Sequence, residues 1–373
     1  PYTIWSEQYI SSISNDTMAI EHYVFPDRYE SSFSNYSLTG EMISFFSGLF
    51  GEYPFISEKY GHADFKWGGG MEHQTLSSMG SSSQNLIVHE LGHSWWGNLI
   101  TCKTFNDIWL NEGFARYCQA LWVEHINGKE AYFSFMNDYA YYGDGTIYVE
   151  NPSSNSQIFN SNLSYNKASW VLHMLRRKVG DDTFFEILKS YASNDTLAYN
   201  AASTADFQKI SEDISDQNLE LFFQQWIYEE GYPKYEMSWW HDGNATYKVK
   251  IDQIQSSGLF SMPIDLNFSG SIGPLLIDTT IVVENNSLNH LYEISGLNFI
   301  VENVTLDPNN WILKEVSYTT NGIDNLLPKN VNVQLAYPNP FNSNLKLSFY
   351  VHPVLGNQNI SINVFNINGG LVE

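Results

Sequence analysis

The stretch HELGHSWWGN at positions 89–98, followed by NEGFA at 111–115, carries the clearest chemical pattern in this chain. His89 and His93 are four residues apart in a segment predicted to be helical, so both imidazoles share one face and can reach one metal ion. Neutral imidazole is a common ligand of Zn²⁺. Glu90 lies about 100° further round the helix, where it can reach a water molecule beside the metal. The pattern predicts one Zn²⁺ per chain, with Glu90 as general base.

A catalytic zinc site needs a third protein ligand and keeps one position open. Glu112 lies 19 positions after His93, in a second predicted helix over 107–127 that ends at a glycine. Packed against the first helix, it can deliver the Glu112 carboxylate to the metal. Asp107 and Asn111 are expected to orient the ligand imidazoles, although helix capping is an alternative role for Asp107.

Apolar periodicity divides the chain into a mostly helical part and a later strand-rich part, which predicts an α+β fold. Ser81 and Gln84 have capping-box spacing at the start of the first metal-ligand helix. The predicted elements before residue 233 are a strand at 18–25 and helices at about 37–50, 81–98, 107–127, 164–179, 182–192, 204–214 and 217–230. Alternating strands follow from 233 to about 325.

Charge and cysteine content narrow the possible functions. The net charge of −23 argues against a nucleic-acid partner, because phosphate binding needs clustered Lys and Arg. No apolar run reaches the roughly 18 residues of a membrane span. Two cysteines, Cys102 and Cys118, do not make a disulfide scaffold. In an oxidising compartment they could form a disulfide, and two free thiols are the alternative.

Two further motifs indicate a family. GGGMEH at 68–73 is similar to a G-x-M-E-N exopeptidase motif, and SYNKASWVLHMLR at 164–176 is similar to a segment that carries a catalytic tyrosine. Together with HELGHSWWGN and NEGFA, and in the same order, they resemble the aminopeptidase N and leukotriene A4 hydrolase family of gluzincin zinc metallopeptidases. The resemblance covers about 17–232 and implies a thermolysin-like, mostly helical catalytic domain with a small sheet.

The resemblance also implies residue roles. Glu72 would bind the free amino group of a peptide, while Met71, Gly70 and Gly69 would line the first side-chain pocket and the substrate backbone. Tyr165 would stabilise the oxyanion. The implied activity is zinc-dependent removal of single residues from free N termini of peptides. A thermolysin-type endopeptidase and a non-catalytic surface protein that keeps the fold are the alternatives, and Glu72 separates the first of these from an aminopeptidase.

The sequence departs from the family pattern in two places. His73 stands where the family has asparagine, so the residue next to the amino-group site differs from the family pattern. Residues 1–16 are expected to be only the tail of a missing N-terminal β domain. We therefore expect the chain to be a fragment of a longer protein, incomplete as an enzyme.

The C-terminal region, 326–373, contains AYPNPFN at 336–342 followed by strand-like runs. It resembles the sorting domain of the bacterial type IX secretion system, truncated before its last strands. This implies contact with the secretion machinery and export across the outer membrane, to the cell surface or outside. With 233–325, it predicts two β-sandwich-like domains after the catalytic one.

Overall fold

The computed structural model describes residues 1–242, 246–272 and 274–319, together with the backbone of strands at 331–337 and 346–351. Strands β1 to β7 are Thr3–Ile10, Thr17–Val24, Lys59–Asp64, Gly70–Met71, Ser77–Met79, Ile100–Cys102 and Asn200–Ala202. Strands β8 to β16 are Lys234–His241, Thr246–Gln253, Met262–Ile272, Leu275–Asn285, Asn289–Ser295, Ile300–Leu306, Glu315–Tyr318, Val331–Tyr337 and Lys346–Val351.

Helices dominate the segment between the first sheet and residue 230. Helices α1 to α10 are Tyr29–Tyr36, Thr39–Phe50, Gln84–Gly92, Trp109–Asn127, Lys129–Asp138, Asn155–Ile158, Ala168–Val179, Asp181–Ala192, Thr204–Ser215 and Glu220–Phe223. Short 3₁₀ turns span Pro26–Arg28 and Phe105–Asp107, and π-helical turns span Ser161–Lys167 and Gln224–Tyr228. The mixture of helices and sheets is the predicted α+β class.

The first sheet has five strands in the order β1-β2-β3-β5-β4. The strand predicted at 18–25 is β2. Residues 1–16 are not a separate tail, because β1 pairs antiparallel with β2 at all eight positions. The sequence concealed this strand because Ile4 and Ile10 on its outer face are 58% and 63% exposed, which obscures the alternation of polar and apolar residues.

Helix α4 lies at the centre of the helical part, with most of its side chains buried. It ends before Gly128, which has φ 83°, as the sequence predicted. Helix α7 packs closely on it at Gly113, where an added side chain would overlap Ala168. Helix α3 starts later than predicted: Ser83, and not Ser81, is the N-cap, since its side chain accepts a hydrogen bond from Leu86 N.

The later strands form two sheets, in the orders β11-β10-β13 and β12-β9-β8-β14. Buried residues of both sheets, such as Leu266 and Val249, belong to one apolar core. The β region contacts α7 through an ion pair between Arg177 and Asp265 and through His173, whose Nε2 lies 3.0 Å from Asn310 O.

Beyond residue 319 the structure describes little. Strands β15 and β16 pair antiparallel, and the rest of the segment predicted as a sorting domain, 326–373, lies outside the described residues. Across the described residues, no helix combines the length and apolarity that a membrane crossing requires.

Candidate metal centre

Helices α3 and α4 bring the three predicted metal ligands to one point. His89 Nε2 lies 3.2 Å from His93 Nε2 and 3.2 Å from Glu112 Oε2, and His93 Nε2 lies 3.3 Å from the same oxygen. All three residues are buried, with at most 9% of their surface exposed. The three ligand atoms therefore form a nearly equilateral triangle on the wall of a cavity.

The triangle fits a tetrahedral zinc ion. Bonds of about 2.05 Å to nitrogen and oxygen place ligands of a tetrahedral ion about 3.3 Å apart, close to the three observed separations. His93 Nδ1 lies 2.9 Å from Trp96 O, so this nitrogen carries the proton and donates to the carbonyl. The lone pair of His93 Nε2 is thereby left to face the cavity.

The charged groups around the three ligand atoms also favour binding of a cation. Burial disfavours a charged His93, but Glu112, Glu72 and Glu90 outweigh this effect and raise the pKa of His93 to about 10. Burial likewise opposes ionisation of Glu112, yet the two histidines hold the pKa of this carboxyl well below its usual range. A proton on His93 Nε2 therefore competes with a metal for the same lone pair, and either one places a positive charge beside these carboxyl groups.

Glu90 is 4% exposed and lies against the backbone of Gly70. Burial raises the pKa of its carboxyl to about 8, and this effect exceeds the opposing influence of His93. A carboxyl group with a pKa near neutrality can both accept and return a proton.

The glycine-rich loop, residues 68–73, also contributes to the wall of the cavity. A carboxylate oxygen of Glu72 lies within 4.8 Å of one of Glu90 and of a ring nitrogen of His93. The backbone is held in place by Asn98, whose Nδ2 donates to Glu72 O at 2.9 Å. Glu72 is therefore placed to meet a charged group of a ligand beside the metal ligands.

The neighbours of Glu72 fall into two groups. Gly69 and Gly70 line the same cavity, whose volume is about 460 Å³. Among the described residues, Met71 does not contribute to the cavity wall, and 43% of its surface is exposed. His73 is also exposed, and its Nδ1 lies 3.2 Å from Ser78 Oγ.

Tyr165 reaches the cavity from the π-helical turn that precedes α7, and such turns often occur at functional sites. Its ring stacks on His89, with centroids 5.9 Å apart and planes 17° apart. Burial, reinforced by Glu112, raises the pKa of the Tyr165 phenol. The phenol therefore stays protonated at neutral pH and can donate a hydrogen bond.

Two predicted supporting roles are wrong. Asn111 Oδ1 accepts a hydrogen bond from Cys102 N at 2.9 Å, and Asp107 Oδ1 accepts hydrogen bonds from both the backbone N and the hydroxyl of Thr204. These residues hold the segments around α4 and do not orient imidazoles. The carbonyl of Trp96 performs that task for His93, and a backbone group leaves no sequence signal.

Both cysteines are free thiols in the structure, Cys118 buried and Cys102 partly buried. Arg116 and Gln119, which the sequence analysis did not single out, also line the cavity. The sequence did contain an indication for Arg116: it follows Glu112 by four residues on α4, so the two side chains share one face of the helix.

Two imidazoles, one carboxylate and a neighbouring buried carboxyl are a donor set typical of metal-dependent hydrolases. Residues 70–226 match the family model described as "Peptidase family M1 domain". Residues 335–373 match the "Secretion system C-terminal sorting domain".

Curated relatives support the same family. Aminopeptidase N of Lactococcus lactis subsp. lactis is 33% identical over 160 residues, which cover 40% of this chain and 19% of the relative. Aminopeptidase N of Homo sapiens is 28% identical over 268 residues, covering 60% of this chain and 27% of the relative. The chain thus spans about a quarter or less of the length of these relatives.

Solved structures share the fold. Legionella pneumophila aminopeptidase A, in complex with aspartic acid, superposes with a TM-score of 0.75 at 14% identity, over 85% of this chain and 38% of that one. A point mutant of a two-domain M1 zinc metallopeptidase, bound to L-tryptophan, gives a TM-score of 0.52 at 24% identity, over 60% of this chain and 51% of that one.

Proposed function

We propose that this chain carries the catalytic site of a zinc-dependent aminopeptidase, which removes single residues from the free N terminus of peptides. The main support is the position of Glu72, whose carboxylate lies within 4.8 Å of ligand atoms of Glu90 and His93. An anion this close to the metal ligands fixes a substrate ammonium about one residue from the bond that is cut. An endopeptidase needs no such anion.

His89, His93 and Glu112 would hold one Zn²⁺. When bound, the metal supplies Lewis acidity, which polarises the scissile carbonyl and lowers the pKa of water. The distances between the ligand atoms of these three residues and the acidic surroundings support this assignment.

The residues of the chain divide the remaining work. Glu72 binds the substrate ammonium, whose desolvation is costly unless a carboxylate meets it. Glu90 accepts the proton of the attacking water on a carboxylate oxygen and passes it to the leaving amine. The Tyr165 phenol donates a hydrogen bond to the oxyanion that develops on the carbonyl.

A non-catalytic surface protein would be free to lose a ligand or the base. Here His89, His93, Glu112, Glu90 and Tyr165 are all present and converge on one cavity. This convergence favours an enzyme.

The direct test is digestion of a peptide library by the full-length protein, with free and with blocked N termini. The proposal predicts stepwise loss of N-terminal residues from the free peptides only. Internal cleavage of both sets would instead identify an endopeptidase.

We also propose the larger organisation. The catalytic domain is thermolysin-like and extends to 232, now including β1, and a β domain covers 233–325. Residues 326–373 would serve as a sorting signal read by a bacterial secretion machinery, which the family match at 335–373 supports. The protein would then act on the cell surface or outside the cell.

A further inference from the structure

Arg116 is a cation in the cavity wall with neutral partners. Its Nη1 donates to Gln119 Oε1 at 2.8 Å, and its guanidinium lies over the Tyr139 ring, 4.4 Å from the centroid. Its Nε is buried and has no hydrogen-bond partner. Among the described residues, no carboxylate oxygen comes within 4.0 Å of its nitrogens.

In this respect Arg116 differs from Arg176 and Arg177. Arg28 also has no ion pair among the described residues, but it donates to Gly80 O and does not line the cavity. Arg176 pairs with both Glu124 and Asp181, and Arg177 pairs with Asp265. A partly buried guanidinium without an ion pair has lost hydration that the more distant Glu112 carboxylate offsets only in part, and burial accordingly lowers the pKa of Arg116. Its planar donors suit a carboxylate.

The position of Arg116 along the cavity follows from its contacts. Gln119, its hydrogen-bond partner, donates to Asn85 O in the first turn of α3. Glu72 lies at the other end, beside His93. Asn85 and His93 are roughly 12 Å apart along the helix axis. The metal ligands therefore lie between Glu72 and Arg116.

This order gives a direction to a bound peptide. With its ammonium at Glu72 and its scissile carbonyl at the metal ligands, the peptide continues toward Arg116. Side chains four residues apart on a helix, such as Glu112 and Arg116, have Cβ atoms about 6 Å apart, and one peptide residue spans about 3.5 Å. Arg116 is thus within reach of the residue that follows the scissile bond.

We propose that Arg116 recognises a carboxylate on the residue directly after the scissile bond, so that the site favours dipeptides with a free C terminus or peptides with an acidic residue at that position. The inference rests on the proposed aminopeptidase function and adds a substrate class to it. The chemistry is the same for both sources of the carboxylate, and the assay separates them.

The test compares kcat/KM for matched pairs of substrates that share the best N-terminal residue. One pair is a dipeptide ending in alanine, as the free acid and as the C-terminal amide. The other pair has amidated aspartate or amidated asparagine after the scissile bond. The wild type should favour the carboxylate member of at least one pair by about 10-fold or more, mainly through KM. The pair that shows the preference identifies the source.

Arg116→Gln should bring the ratio within each responsive pair to within about twofold of one, and Arg116→Lys should keep part of the preference as a point charge. Lys209 is exposed and does not line the cavity, so Lys209→Gln removes the same charge elsewhere and should keep the full ratio. A role for Arg116 in packing alone would lower all rates and leave the ratios unchanged.

The outcomes separate the two proposals. Equal rates within both pairs for the wild type, or an unchanged ratio in Arg116→Gln, would overturn the role of Arg116 while leaving the aminopeptidase standing. If no peptide is cleaved, the proposed function fails. In that case, calorimetry measures the affinity of the Glu90→Gln variant for the same pairs and tests the role of Arg116. A carboxylate member is expected to bind more tightly than its partner by about 10-fold or more. Equal affinities within both pairs would contradict the assignment.

Discussion

Gly70 lies so close to Glu90 that a methyl group added at Gly70 would overlap the Glu90 carboxylate. The glycine-rich loop and the general base therefore fix each other's position. Gly70→Ala should displace Glu90 and lower kcat/KM by about 100-fold, the typical cost of misplacing a catalytic group by about 1 Å. Zinc content should stay near one per chain, because the atoms nearest to the added methyl group belong to Glu90 and not to a metal ligand. Steady-state kinetics and metal analysis on the same sample test this.

Gly48 provides the matched control. It is exposed in α2, and nothing lies within 4 Å of the position that a side chain would take. Gly48→Ala should raise the free energy of unfolding by up to about 1 kcal/mol, since alanine favours helix, and should leave kcat/KM unchanged. Equal activity losses in both variants would mean that the Gly70 contact is not specific.

Variants of the metal ligands and of the general base should differ in zinc content. Glu112→Ala and His93→Ala each remove one corner of the triangle and should lose both zinc and activity. Glu90→Gln should keep about one zinc per chain and lose turnover, because the amide cannot accept a proton. A Glu90→Gln protein without metal would make Glu90 a ligand and undo its assigned role.

Tyr165→Phe removes a hydrogen-bond donor that acts mainly in the transition state. Loss of one oxyanion donor costs about 2.7–4 kcal/mol, so kcat should fall by about 100-fold or more with little change in KM. The stacking of the ring on His89 remains possible in the variant. A raised KM at unchanged kcat would instead mark Tyr165 as a ground-state contact.

His173 links the helical part to the β region and should make stability depend on pH. It accepts from Tyr132 OH at 2.6 Å and donates to Asn310 O, and burial lowers its pKa to about 3. An unfolded histidine titrates near 6.5. As pH falls through 6.5 toward 3, the unfolded state therefore binds a proton that the folded state does not, and stability is lost.

The measurement is the free energy of unfolding in urea between pH 7 and 4. One proton corresponds to a slope of about 1.4 kcal/mol per pH unit. His173→Gln should reduce the wild-type slope by up to that amount, even where its stability at pH 7 is lower. Identical slopes for the two proteins would show that His173 does not titrate on unfolding.

The sequence predicted those parts of the site that depend on spacing within helices. His89, His93 and Glu112 converge because α3 and α4 form within the predicted segments, although α3 is shorter than the predicted 81–98, and Gly128 ends α4. Parts that depend on tertiary contact were missed. Trp96 orients His93 through a backbone carbonyl, which any residue could supply.

The errors in the fold have a similar origin. Strand β1 is at the edge of its sheet, so its exposed isoleucines hid the alternation that marks a strand. The cap of α3 was misplaced by two residues because Ser81, Ser82 and Ser83 are equivalent in sequence, and only the backbone conformation selects Ser83. Arg116 was overlooked because its significance lies in lining the cavity without an ion pair, which sequence does not show.

The central claim is that Glu72 selects peptides with a free amino group, and a paired assay tests it most directly. Initial rates are measured for one peptide and its N-acetylated form, with wild type and with Glu72→Ala. The wild type should cleave the acetylated peptide at least about 100-fold more slowly, since loss of a charge-assisted contact of about 3 kcal/mol corresponds to that factor, and Glu72→Ala should erase most of that difference. Equal rates on both peptides with the wild type would contradict the aminopeptidase assignment.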